Sequence, residues 1–313
     1  MQTESPVTQV YDDEIDLREL FSVLCAGKRW IVAITSIFAV VSVIYALSVP
    51  NEYKASAVVA PAQSGSSSLG AMAGQLGGLA SLAGINLGSG EGGETLEAME
   101  IIQSWGFIEK FIVGHELQVA VYAAQGWNRS ENKLEIDASI YDDTENKWLI
   151  EDEYTGEPRA PTSWELYESF KERLSVSQDK TSGMITVSLE YYSPVLAQGW
   201  VELYVRAIND HMRDRKLEQV NRNIEYLSAQ IAKTAIAEMR EVFYQLIEEQ
   251  TKAKMLAEAS PEYAFVTVSQ VMLPEEKSKP KRALICILGT LLGGMLSVLY
   301  VLVRHYAFKE KTV

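Results

Sequence analysis

Cysteine is almost missing from this chain: Cys25 and Cys286 are the only two, and both fall at or inside apolar segments near its ends. The long stretch between them holds no thiol, which excludes a disulfide framework and a cysteine metal site there. Histidine is as scarce. His115, His211 and His305 stand far apart and form no His-x-x-x-His pair, so no zinc site is expected. Basic charge is short as well. The 28 Lys and Arg against 42 Asp and Glu leave a net charge of -14, and no basic block offsets it, so binding to bare nucleic acid is disfavoured. The acidic runs Asp142-Asp143 and Glu151-Asp152-Glu153 lie in a polar stretch beside Lys147 and read as solvated loop charge rather than as a catalytic acid and base. Asn128-Arg129-Ser130 matches a glycosylation acceptor, a motif too short to carry weight. No cofactor and no catalytic residue are expected.

Two uncharged apolar runs are what the sequence does have. Trp30 to Val49 is 20 residues long and Ala283 to Val303 is 21. About 20 helical residues cross a hydrocarbon core of ~30 Å, so each run predicts a transmembrane helix and the lipid bilayer becomes a partner. Neither run shows the polar stripe of a core helix, and the long acidic leader before the first fits an uncleaved anchor better than a signal peptide. The expected division is a cytoplasmic leader over residues 1–29, a first span over 30–49, an extracytoplasmic domain over 50–282, a second span over 283–303 and a cytoplasmic tail over 304–313. Lys28 and Arg29 before the first span, and Arg304, Lys309 and Lys311 after the second, set that orientation; Lys277, Lys279, Lys281 and Arg282 on the other flank oppose it. In the second span Gly289, Gly293, Gly294 and Ser297 make a small-residue surface. It reads either as a helix-packing face or as the ordinary glycine content of membrane helices.

In the middle domain, Tyr53 to Ala60 and Tyr263 to Leu273 are rich in β-formers, predicting two strands of one membrane-proximal sheet. Thr95 to Val113 has the apolar spacing of a single core helix. Leu174 to Ser177 and Met184 to Tyr191 alternate around a turn closed by Gly183, predicting a hairpin. Residues Gly65 to Gly93 include ten glycines but end in Glu91-Gly92-Gly93-Glu94, without the Lys-Ser/Thr pair of a phosphate loop. That run reads as a loop or as a weakly helical segment packing on neighbouring subunits.

Pro194 opens the most informative stretch. From Val195 to Ala259 there is no proline, and strong helix formers dominate, predicting one very long extended helix. Leu217, Val220, Ile224, Leu227 and Ile231 repeat at 3, 4, 3, 4, and Ala235, Met239, Val242 and Leu246 continue the stripe. The alternative is a helical hairpin broken in the charged stretch Asn209 to Lys216. A stripe of that length exceeds what a small base domain can cover, so homo-oligomerisation is expected. The fold class is α+β: a mixed base domain carrying the long helix, anchored by two transmembrane helices.

Several stretches carry a resemblance to Wzz-type chain-length determinants, the class 1 polysaccharide co-polymerases. They are Asp13 to Leu20, Pro50 to Pro61, Ser193 to Asn209, the long helix with Gln250-Thr251-Lys252, and Pro274 to Leu284, where Pro274, Pro280, Lys281 and Arg282 form a proline-rich entry to the glycine-bearing span. Members of the second class add a cytoplasmic kinase domain, whereas this sequence stops ten residues after its second span. The resemblance implies a non-catalytic oligomer, bell-shaped in known members, that acts with an O-antigen-type polymerase to set the length of an undecaprenyl-linked polysaccharide. Two rivals stand beside it: an adaptor activating a separate tyrosine kinase in capsule or exopolysaccharide export, and an envelope enzyme acting on glycans.

Overall fold

The computed structural model describes residues 23–62, 91–152 and 154–309; the leader segment Asp13–Leu20, nearly all of the glycine-rich run, Glu153 and Lys311 lie outside them. In chain order the elements are helix α1 (Lys28–Ser48), strand β1 (Glu52–Pro61), helices α2 (Glu91–Ile101), α3 (Trp105–Gly114) and α4 (Gln118–Tyr122), strands β2 (Ala124–Asn128), β3 (Lys133–Ile136), β4 (Tyr141–Asp142), β5 (Lys147–Trp148), β6 (Ile150–Glu151) and β7 (Pro158–Arg159), helix α5 (Ser163–Lys171), strands β8 (Leu174–Gln178) and β9 (Ile185–Tyr191), helices α6 (Pro194–Lys233) and α7 (Ala237–Ala259), strands β10 (Phe265–Ser269) and β11 (Lys277–Lys279), and helix α8 (Arg282–Lys309). They form two units. Met1–Val49 with Lys279–Val313 holds α1 and α8, and Pro50–Ser278 holds the rest.

The larger unit is α+β, as the sequence implies. Its sheet runs β10-β1-β9-β8, with β11 also on β1. The strands expected early and late in the domain do share this sheet: β1 pairs antiparallel with β10, Pro61 opposite Phe265, and with β9, Tyr53 opposite Tyr191. Alternation decides which face is dry. Ala55, Ala57 and Val59 of β1 and Ile185, Val187, Leu189 and Tyr191 of β9 are buried, while on the other face Ser56 Oγ meets Ser188 Oγ at 2.9 Å. β8 and β9 form the expected hairpin, with Gly183 at φ +71° closing the turn, a left-handed conformation that glycine adopts without cost. β10 is shorter than expected. Beyond it the Val271 carbonyl accepts from Gln198 Nε2 at 3.0 Å instead of from a strand.

The amino-terminal half of α6 lies over the dry face. Ser193 Oγ accepts from Leu196 N and Pro194 takes the first helical turn, a start that costs no hydrogen bond. Trp200, Val201, Tyr204 and Ile208 then recur at helical spacing and are buried. Phe107 and Phe111 of α3 stand edge-on to Tyr204 at 5.3 and 4.8 Å, and Phe170 of α5 closes the cluster. The hydroxyls inside it are satisfied: Tyr204 donates to the Ile102 carbonyl, and Tyr191 to that of Ala120 at 2.5 Å.

Two helical expectations need correction. Thr95 to Val113 is not one helix, because Ser104 adopts an extended conformation and caps a new helix by accepting from Phe107 N; α2 and α3 result. Val195 to Ala259 is likewise not continuous. The 40-residue α6 ends at Lys233, Thr234 and Ile236 take extended dihedrals, and the 23-residue α7 returns. The return is antiparallel. Leu227 packs on Phe243 and Leu246, and one to two turns below Asn223 Nδ2 donates to Gln250 Oε1 at 3.2 Å. The charged stretch Asn209 to Lys216 stays helical, since its cations find partners on α2: Lys216 with Glu94 at 2.7 Å and Arg215 with Glu97 at 2.5 Å.

Asn209 ties the hairpin base to the sheet. Its buried amide donates to the Phe265 carbonyl at 2.9 Å and accepts from the backbone N–H groups of Ala264 and Phe265, each at 2.8 Å. Leucine at this position would remove the partner of all three backbone groups, two of them on buried Phe265. Asn209→Leu is therefore expected to lower the unfolding free energy by roughly 3 kcal/mol. Denaturant titration of the full chain in detergent reads this, and a loss under about 1 kcal/mol would refute the tie.

Candidate functional site

Among the described residues no group of three or more His, Cys, Asp or Glu is placed to hold a metal ion. The acidic runs build turns. Asp142 accepts from Thr144 N and Glu145 N, and Asp152 from Tyr154 N and Thr155 N, all at 2.8–3.1 Å; those bonds hold both carboxyls below their ordinary range. Asn128 does the same for Ser130 and Glu131, so the apparent acceptor motif is a hairpin turn. His115 lies against Phe111, and His211 rests on Phe107, its pKa pushed down by burial and then by Lys110 and Arg215.

A stronger electrostatic feature closes α5. Arg159 grips both oxygens of Glu165, at 2.7 and 2.8 Å, and Glu165 also completes a capping box with Thr162. Hydrogen bonding to Arg159 holds the Glu165 carboxyl down at about 2. A depressed carboxyl stabilises the fold above its unfolded pKa of about 4.3, and the contribution fades as pH drops from there towards the folded value. Protection of the amides in residues 163–171, taken relative to their intrinsic exchange rate at each pH, is therefore expected to fall between about pH 4.5 and about pH 2.5, and the fall should vanish in Glu165→Gln. An unchanged profile in that variant would assign the acid response elsewhere.

The apolar stripe of the long stretch is largely consumed within the chain. Val220 and Leu246 are buried, Leu227 is 0% exposed, and Ile231 and Val242 pack around the same cluster. Leu217 and Ile224 are half-buried, whereas Met239 is 45% exposed. Sister subunits are thus not required to cover the stripe. The sequence reading missed Phe243, which lies one position from Val242 and takes the inward place on α7. What the hairpin leaves outside is a different set: Tyr226, Ile236, Tyr244, Met255 and Leu256 are exposed.

In the other unit α1 and α8 are long and apolar enough to cross a membrane, and they pack on each other through the small residues. A methyl group added at Gly289 would come 2.5 Å from Ser42 Cβ, and one at Gly293 would collide with Phe38, whereas one at Gly294 would stay 4.0 Å from Thr35 Oγ1. Ser297 Oγ lies 3.4 Å from Thr35 Oγ1. The face is therefore an intramolecular seam, with close approach supplying the packing that lipid does not. At the entry to α8 the Lys279–Pro280 peptide is cis, and the Pro280 and Lys281 carbonyls accept from Arg282 N and Leu284 N, both at 2.9 Å, which winds the first turn. Pro274 lies upstream of this turn, in the segment between β10 and β11. Gly293→Leu should separate the two helices. With native cysteines removed, cross-linking between Thr35→Cys and Ser297→Cys is expected to fall about tenfold, while Gly294→Ala leaves it unchanged; equal yields would show that the seam does not need its glycine.

Residues 13–114 match the Wzz family, chain length determinant protein. Residues 235–306, from the hairpin turn into α8, match a G-rich domain on putative tyrosine kinase. Among solved structures, a full-length bacterial polysaccharide co-polymerase is 15% identical, covering 96% of this chain and 100% of its own, with a TM-score of 0.39. A fragment of WzzB, polysaccharide co-polymerase from Salmonella Typhimurium, is 12% identical, covering 73% of this chain and 100% of its own, with a TM-score of 0.31. No curated protein matches. The chain carries a chain length determinant domain of the Wzz type, which bears out the resemblance drawn from its sequence. It is a chain-length regulator by that domain.

Proposed function

We propose that this chain is a non-catalytic, two-pass protein of a bacterial inner membrane, with residues 50–282 in the periplasm and both termini in the cytoplasm, and that its copies assemble to limit the length of an O-antigen-like polysaccharide. It acts with a polymerase on the undecaprenyl-linked glycan. The observation that carries this reading is the chain length determinant domain at residues 13–114, which spans the first apolar helix and enters the base of the larger unit. The turn-forming roles of the acidic runs support a scaffold rather than an enzyme. Assembly now draws its support from the apolar side chains that the hairpin leaves outside, Tyr244, Met255 and Leu256 among them.

A second reading keeps a specific support. The match of residues 235–306 to a domain found on putative tyrosine kinases favours an adaptor that activates a separate kinase in polysaccharide export. One experiment separates the two. Deleting the gene and complementing it should abolish and restore the modal length of the lipopolysaccharide ladder on a gel. A ladder that keeps its mode, together with retention of a tyrosine kinase on the tagged protein, would overturn the first reading in favour of the second.

A further inference from the structure

Away from the hairpin, a cleft in the Pro50–Ser278 unit combines aromatic surface with two polar side chains, Glu109 and Gln118, that have no hydrogen-bond partner among the described residues. Its cavity of about 340 Å³ opens between α3, α4, β5 and the start of α5. The sequence of α3 explains one wall. Phe107, Ile108, Phe111 and Ile112 face the core, so Trp105, Glu109 and Val113, spaced four apart, are turned to the opposite side. Trp148 and Pro161 supply the facing apolar surface, and Gln118 and Ser163 add polar atoms.

The two sides are held before any ligand arrives. Tyr141 stands edge-on to Trp148 with ring centres 4.9 Å apart, fixing the indole. Trp105 Nε1 donates to Ser163 Oγ at 2.6 Å, linking α3 to α5 at one end of the cleft. Within this frame the Glu109 carboxylate and the Gln118 amide make no hydrogen bond to a described residue, although both side chains are half-buried. Half-buried polar groups without protein partners keep their hydrogen-bonding capacity for solvent or a ligand.

The chemistry of the lining discriminates among ligands. Among the described residues no lysine or arginine lines the cleft, so a phosphate or another anion meets no counter-charge from them. The volume lies at the lower end of the ~300–1,000 Å³ range of small-ligand clefts, too small for a helix of another protein. A pyranose fits each feature: its apolar C–H face suits the negative face of an indole, and its hydroxyls can donate to a planar carboxylate and exchange hydrogen bonds with a planar amide. We propose that this cleft binds a neutral saccharide unit of the polysaccharide whose length the chain regulates, stacked on Trp148 and hydrogen-bonded by Glu109 and Gln118. The identity of that polysaccharide rests on the function proposed above; the cleft's preference for a sugar rests on its own lining.

The test uses the full chain in lipid nanodiscs. It is titrated calorimetrically with oligosaccharides of one to four repeat units, prepared from polysaccharide released by mild acid from the cells that make this protein. Saturable binding is expected. Glu109→Gln removes a charged acceptor and should raise Kd about tenfold, and Trp148→Ala should do the same by removing the stacking surface. Trp164→Ala, which alters an exposed ring packed on Tyr167 outside the cleft, should leave Kd unchanged. Glu109→Gln keeps the side-chain shape, so it remains decisive if Trp148→Ala fails to fold. The proposal is overturned if the parent chain shows no saturable binding, if Kd stays constant in Glu109→Gln, or if a photo-cross-linker at position 109 captures a second copy of the chain instead of the sugar. A ladder that collapses on gene deletion without any such binding would sink the saccharide cleft and leave length control standing. Binding with an unaltered ladder would do the reverse.

Discussion

The closure of α6 by α7 is the constraint on which the rest of this structure depends. A 40-residue helix with an apolar stripe cannot remain bare in water, and the chain solves this by doubling back so that Leu227, Phe243 and Leu246 bury one another. The lower half of the same helix covers the sheet through Trp200, Val201, Tyr204 and Ile208, so one rigid element links the base to the projecting hairpin. Asn209 sits where the two environments meet. Its three hydrogen bonds to Ala264 and Phe265 return the chain to the sheet once α7 ends.

The hairpin also alters what assembly has to bury. An apolar stripe uncovered in the monomer would by itself have demanded sister subunits, and the hairpin removes that demand. Surface remains on its outside, Tyr226, Tyr244, Met255 and Leu256, and it is this surface that assembly would bury. In the unit holding the apolar helices the same logic applies. Gly289 and Gly293 serve the contact between α1 and α8, so the small-residue face is already occupied within the chain.

Much of the architecture was legible in the sequence because period and punctuation agreed. β1 and β9 alternate cleanly, Gly183 marks its turn, Ser193-Pro194 announces α6, and both apolar runs are helices of membrane-crossing length. The break at Thr234-Ala235-Ile236 was not legible, because it contains neither glycine nor proline and two of its three residues are β-branched, a composition that helices tolerate. The seam was half right for a related reason: choosing Met239 and Val242 put the stripe of α7 one residue away from Phe243. The short strands β4 to β7 escaped as well. Pairs of two residues held by aspartate turns, such as Asp142 and Asp152, leave no periodic trace. The aromatic cleft was invisible for a deeper cause, since Glu109, Gln118 and Trp148 come from three separate elements that only the fold brings together.

The measurement that bears most directly on this account is the distance between spin labels at Glu218 and Met255, two exposed positions at one level of the hairpin. Labelled protein diluted with unlabelled copies isolates the distance within a single chain. Helices packed about 10 Å apart should hold the labels within roughly 20 Å. An uninterrupted helix would place them about 55 Å apart, and a population at that separation would contradict the folded-back hairpin from which the rest follows.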